Sequence, residues 1–321
     1  MSYEPRHNFV KSAVVKILHS YGAPLGMFLF FMLAALYVFM GRANRAAPDF
    51  PRTSSQFLQA AKAERRLAEL QPVLAANPED MQALAESGRL KYQLGQARYI
   101  EAIADLERAR ALGLADARTF YYLGSMYQAT GLYDFAALEY RKFLNNFPND
   151  AEARMLLAKL SYVAGDFPGA IREYELLQKN GKPDPVLLEN LALARWKNNQ
   201  DYSKTLSDLR ALGPAGSFLA DYAEGRMNYE GKDYAKASVF LNKAAAVQGS
   251  AAAFSDRAGL LWLAGDSAYK NKDLAGAYGY LQALLQLNPA HEEGRILLAK
   301  LEKARKAEAK TAAKAKTVSR K

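Results

Sequence analysis

Ala117 to Asp150 reads ARTFYYLGSMYQATGLYDFAALEYRKFLNNFPND. It has the form of two helices joined by a tight turn at Gly131, a residue that accepts the backbone conformation ending a helix. Pro148 closes the second helix, because proline cannot continue the hydrogen-bond ladder and restrains the residue before it. Within it lie Phe120, Leu123-Gly124, Tyr127, Gly131, Tyr133, Ala136, Tyr140 and Pro148, in that order.

The next 34 residues, Ala151 to Asp184, keep the same length and place Leu157-Ala158, Gly165, Phe167, Ala170 and Tyr174 in the same columns. A period of about 34 residues is the mark of a repeat architecture, in which no unit buries its apolar face alone. Looser units align at 81–116, 185–217, 218–251 and 258–291. The small residue where the first helix meets the second is Gly88, Gly124, Ala158, Ala192, Gly225 and Gly265. Its counterpart on the second helix is Ala102, Ala136, Ala170, Thr205, Ala237 and Ala277, and the residue opening that helix is Tyr99, Tyr133, Phe167, Tyr202, Tyr234 and Leu274. Pro78, Pro148 and Pro289 end helices.

These columns resemble the tetratricopeptide (TPR) repeat family, over about three quarters of the chain. The resemblance implies an all-α fold, a right-handed TPR superhelix of about six units over 81–291. An additional helix at 54–80 and a capping helix at 292–310 flank it. Gly213-Pro214-Ala215-Gly216 cuts the second helix of the fourth unit short after Leu212.

In that family the concave wall is built from the first helix of each unit, and partners lie along it. Carried onto this sequence, one column of that wall is Tyr92, Gln128, Tyr162, Trp196, Tyr229 and Tyr269. The adjacent column is Arg89, Ser125, Lys159, Leu193, Arg226 and Asp266, with Tyr121, Tyr222 and Trp262 one turn earlier. Rings with arginine suit peptide recognition, because rigid aromatics bury large area and cations pair or stack. Packing of the same rings between units is the competing role. The lysine, asparagine and arginine set with which some family members grip a chaperone's C-terminal carboxylate is not matched; Asn190 alone fits, beside Glu189.

Outside the repeats, Gly22 to Met40 reads GAPLGMFLFFMLAALYVFM, 19 residues without a charge. As a helix at about 1.5 Å per residue it spans ~28 Å, enough to cross a bilayer. It exceeds the usual apolar core of a cleaved signal peptide, about 7 to 15 residues. The expectation is one N-terminal transmembrane helix at 22–40, after a basic amphipathic segment at 1–21 and before a linker at 41–53. Basic residues are matched on the two sides, so charge does not orient the span. A short N-terminus before a long soluble domain resembles a signal anchor, and the layout resembles bacterial inner-membrane TPR proteins. That resemblance implies a single-pass protein with its repeats in the periplasm.

The formal charge of +10 is concentrated at the ends. Six basic residues against two acidic ones give +4 over 1–53, nine against two give +7 over 299–321, and the stretch between carries −1. A near-neutral middle offers no field for phosphates, which speaks against nucleic acid as a partner. There is no cysteine, and the only histidines are His7, His19 and His291, so no triad, phosphate loop or metal spacing appears. No enzyme and no cofactor is therefore expected. Composition reads 311–321 as a disordered basic tail, with contact to an anionic surface as its sharper use. The function this suggests is a scaffold that binds other proteins or peptides through its groove at a membrane. Two alternatives remain open: a cytoplasm-facing receptor presenting clients to a translocase, and a non-catalytic accessory subunit.

Overall fold

The computed structural model describes residues 27, 28, 30–33, 36, 49–52, 60–182, 184–247 and 256–318, by backbone alone beyond 307. Within these residues there is no strand. In the first half the helices are α1 (Ala60–Ala76), α2 (Met81–Gln93), α3 (Tyr99–Ala111), α4 (Arg118–Ala129), α5 (Tyr133–Asn146) and α6 (Ala151–Val163). They continue with α7 (Phe167–Asn180), α8 (Pro185–Lys197), α9 (Ser203–Arg210), α10 (Pro214–Glu230) and α11 (Tyr234–Ala246), then α12 (Arg257–Lys270), α13 (Leu274–Leu287) and α14 (Glu292–Val318). The chain divides into two compact units, Met1–Arg154 and Met155–Lys321.

Helix starts are fixed by short acidic side chains. The carboxylates of Asp80, Asp166, Asp184, Asp233, Asp256 and Asp273 each accept a hydrogen bond from the first turn they precede. Such caps satisfy donors that a helix start leaves orphaned and contribute about 1 kcal/mol each. The turns between paired helices need a left-handed residue. Gly131 takes it at φ +80°, and Asn199, Lys232 and Lys272 take it in the second unit at φ 54° to 65°.

Packing within each hairpin rests on a small residue of the first helix facing a large one of the second. A Cβ on Gly88 would meet the Leu106 side chain at 2.6 Å, one on Gly124 the Tyr140 ring at 2.9 Å, and one on Gly225 the Leu241 side chain at 2.6 Å. Leu106, Tyr140 and Leu241 are essentially without exposure, as are Ala102, Ala136 and Ala237 one turn earlier. The second unit builds its largest buried cluster on this contact, joining Leu206, Leu209, Phe218, Leu219, Leu241 and Leu260.

Three stretches depart from the sequence expectation. The first helix of the fifth unit starts at Pro214 and not at residue 218: Gly213, at φ +88°, turns the chain, and Pro214 occupies the position where its missing donor costs nothing. The following Gly216 lies against α9, where a Cβ would stand 2.0 Å from the Leu209 carbonyl oxygen. The C-terminal helix continues to Val318, through residues 311–318 that composition reads as disordered. Glu292 and Glu293 favour its positive end, and the alanine- and lysine-rich sequence has high helix propensity without needing a core. Of the expected helix at 54–80, the described residues 60–76 are helical as α1, and residues 53–59 lie outside the described ones. The third departure concerns the linker at 41–53, because Asp49–Arg52 is not a free connector: Phe50 is buried against α4 and α5 and Arg52 is half-buried, with Asp49 and Pro51 exposed.

Most of the apolar run at 22–40 and the segment at 1–21 lie outside the described residues. Met27, Phe28, Phe30 to Leu33 and Leu36 are helical and exposed. No helix among the described residues is long and apolar enough to cross a membrane.

Two glycine substitutions are expected to move stability in opposite directions. Gly225→Ala drives a methyl into Leu241 and should cost about 1 to 2 kcal/mol, overpacking outweighing the gain in helix propensity. Gly279→Ala, in α13 with nothing within 4 Å of the new methyl, should stabilise by about 0.5 to 1 kcal/mol. Urea titration of both variants checks this, and equal signs would refute the packing account.

Candidate functional site

In the first unit, the wall expected to receive a partner is filled by the chain itself. Phe50, 5% exposed, lies edge-on to Tyr121, Tyr122 and Phe143, with ring centroids 5.3, 5.5 and 6.0 Å away. The Arg52 guanidinium sits over the rings of Phe50 and Tyr121 at 4.5 and 4.7 Å. It donates to both oxygens of Asp150, at 2.9 and 2.6 Å, and to Glu152 at 2.9 Å. Burial works against its charge, but Asp150 and Glu152 more than offset this and hold it above its ordinary pKa.

Main-chain atoms of the segment are gripped as well. The Tyr122 hydroxyl donates to the Pro51 carbonyl oxygen at 3.3 Å, and the Tyr92 hydroxyl donates to the Arg52 carbonyl oxygen at 3.1 Å. Tyr121 donates to Glu152 at 2.6 Å. Burial pushes the Tyr92 phenol up to about 12, and burial followed by the Glu152 contact pushes Tyr121 higher still. All three hydroxyls therefore act as donors at any ordinary pH.

The remaining wall residues of this unit are engaged in packing or pairing. Arg89 stands 3.7 Å from Asp116, and Gln128 accepts a hydrogen bond from Tyr140 at 3.3 Å. Tyr92, 5% exposed, stacks on Tyr99 and accepts a hydrogen bond from the Ser125 hydroxyl at 3.2 Å.

The second unit leaves more of its wall open. Lys159 is exposed and Tyr162, Trp196, Arg226, Tyr229, Trp262 and Tyr269 are half-buried, whereas Tyr222 and Leu193 are buried. Two charged groups organise it. Glu189 on α8 is 7% exposed, with Arg226 of α10 at 3.7 Å. Burial pushes its carboxyl up to about 7, against the pull of Arg226 and Lys159. Further along, Asp266 of α12 accepts from the Tyr229 hydroxyl at 2.5 Å and from Lys270 at 2.6 Å, and the Lys270 ammonium lies over the Tyr229 ring at 4.8 Å. Trp262 contacts the His291 ring at 5.1 Å, and the Lys300 ammonium lies over Tyr269 at 5.1 Å.

Sequence reading found the ring columns but missed their partners. Phe50 and Arg52 lie about 70 to 100 residues before the side chains they meet, and the repeat register says nothing of them. Glu189 was noticed only as the neighbour of Asn190. The one signal available was its position: a carboxylate in the first helix of a unit, within the otherwise largely apolar run Pro185 to Leu191. Among the described residues, no group of three or more histidine, aspartate and glutamate side chains is arranged to hold a metal ion.

No protein-family model matches this sequence, and no curated protein does. Solved structures do show a likeness. The chain is similar to a tetratricopeptide repeat protein from Parabacteroides merdae, with TM-score 0.55 and 16% identity, covering 77% of this chain and 95% of that one. It is also similar to the C-terminal part of a TPR repeat-containing protein from Cytophaga hutchinsonii, with TM-score 0.50 and 19% identity, covering 73% and 93%. At such identity the likeness establishes the fold, a TPR-like stack of helical hairpins.

The Glu189 carboxyl gives a pH dependence of definite sign. Its folded pKa is raised above its unfolded value, so its contribution to stability is complete below about pH 4.5 and lost as pH rises through about 7. Glu189→Gln, which stays neutral, should gain stability relative to wild type between pH 5 and pH 8 by roughly 1 to 3 kcal/mol. Thermal melts of both proteins at the two pH values measure this. A difference that does not change with pH would assign Glu189 to solvent.

Proposed function

We propose that this chain is a membrane-anchored scaffold that binds partner proteins. Residues 22–40 cross the bilayer, and the first-helix wall of the second unit receives an extended segment of the partner. The observation that carries the binding half is the half-exposed set Tyr162, Trp196, Arg226 and Tyr229 on α6, α8 and α10. Aromatic and arginine side chains in reach of solvent are the groups that anchor interfaces. The TPR-like fold supports the same reading, as do the exposed apolar side chains of Met27, Phe28 and Phe30 to Leu33 for the anchor. The role of such a scaffold is to support assembly or stability of a membrane or envelope complex, with the repeats on the exported side of a bacterial inner membrane. The basic C-terminal helix would add contact with an anionic surface.

Protease added to intact spheroplasts is expected to digest the repeats. Protection until lysis would place them in the cytoplasm and favour a receptor that presents clients to a translocase. For binding, Trp196→Ala and Tyr229→Ala should each weaken affinity for a partner co-purified in mild detergent by roughly thirtyfold, the equivalent of ~2 kcal/mol, with a small change in melting temperature. Unchanged affinity in folded variants would move the interface off this wall.

A further inference from the structure

The segment Asp49–Arg52 meets the first unit as a bound peptide meets its receptor. It has no helix of its own, and it is held by one aromatic side chain, one arginine and two main-chain carbonyls. Phe50 fills a pocket of Tyr121, Tyr122 and Phe143, and Arg52 enters a clamp of Asp150 and Glu152 roofed by aromatic rings. Pro51 between them has no N–H, so the segment enters with one donor fewer to satisfy. A bidentate arginine pair reads the planar guanidinium, which lysine does not reproduce.

We propose that the first-helix wall of the first unit is a peptide site for an aromatic–proline–arginine sequence. Residues 49–52 occupy it in cis, and a partner polypeptide carrying that pattern enters by displacing them. The inference deepens the partner-binding reading and rests on it for its biological use. It needs neither the membrane span nor the wall of the second unit, so failure here leaves both standing.

A tethered ligand competes at its effective concentration, on the order of millimolar for a short flexible linker. An added peptide must therefore reach about that concentration to half-displace the segment, however well the site fits it. The probe is a fluorescent synthetic peptide of residues 47–54. The receptor is the full chain in detergent, as wild type and as the Phe50→Ala/Arg52→Ala double variant. The double variant should bind the peptide at least tenfold more tightly than wild type. Peptides with alanine for the phenylalanine, or lysine for the arginine, should bind the variant at least tenfold more weakly than the parent.

A second measurement does not depend on the variant folding. The chain has no cysteine, so Asp49→Cys, at the exposed head of the docked segment, gives a single site for a spin label in an otherwise native protein. Millimolar parent peptide should raise the label's mobility, and a scrambled peptide should leave it unchanged. Equal affinity of wild type and double variant, indifference to the arginine-to-lysine change, or a label immobile under both peptides would overturn the proposal and leave the segment a fixed structural strap.

Discussion

The contact on which every hairpin depends is a small residue of the first helix received by a large one of the second. Gly88 on Leu106, Gly124 on Tyr140 and Gly225 on Leu241 leave no room for a methyl, and the large partners are wholly buried. Close approach there lets two short helices bury enough surface to persist, since helices of 12 to 14 residues are marginal alone. It also fixes rotation. With one face of the first helix committed to its partner, the opposite face is set, and its side chains form the wall available for recognition.

The two units use that wall differently because their charges differ. In the first, Asp150 and Glu152 stand at the start of α6 beside a cluster of rings, and a cation arriving over those rings satisfies both at once. Arg52 supplies it, and its burial is tolerated because two carboxylates and the aromatic faces replace the water it gives up. In the second, the buried carboxylate is Glu189, and its nearest cation, Arg226 at 3.7 Å, lies beyond a close hydrogen bond. Burial then outweighs pairing, and the carboxyl is poised near neutrality.

Much of this fold is legible in the sequence because the hairpin contact is local and periodic. Gly124, Ala136 and Tyr140 fall within one unit of 34 residues, and α3, α5, α7, α11 and α13 begin at the aromatic or leucine that marks each second helix. Pro214 was legible as a break but not as a start, since an X-Pro step ends one helix and opens another equally well. Helix α14 was misjudged because composition weighs the want of a core, whereas alanine and lysine extend a helix by propensity alone. The docked segment was not legible at all. Phe50-Pro51-Arg52 sits in a stretch that reads as linker, and nothing periodic connects it to Tyr121 or Asp150.

That segment also ties recognition to position. Met40 and Asp49 are separated by eight residues, which at about 3.5 Å per residue reach roughly 30 Å. With 22–40 in a bilayer, as proposed, the docked Phe50 holds the first unit within that distance of the surface. Release of Asp49–Arg52 adds those four residues to the tether, whose upper reach grows to roughly 45 Å. Occupation of the aromatic pocket by another polypeptide would therefore do two things at once: fill the site and let the unit stand farther from the membrane. The same four residues that close the wall set its reach, so the strength of the Arg52 clamp governs both.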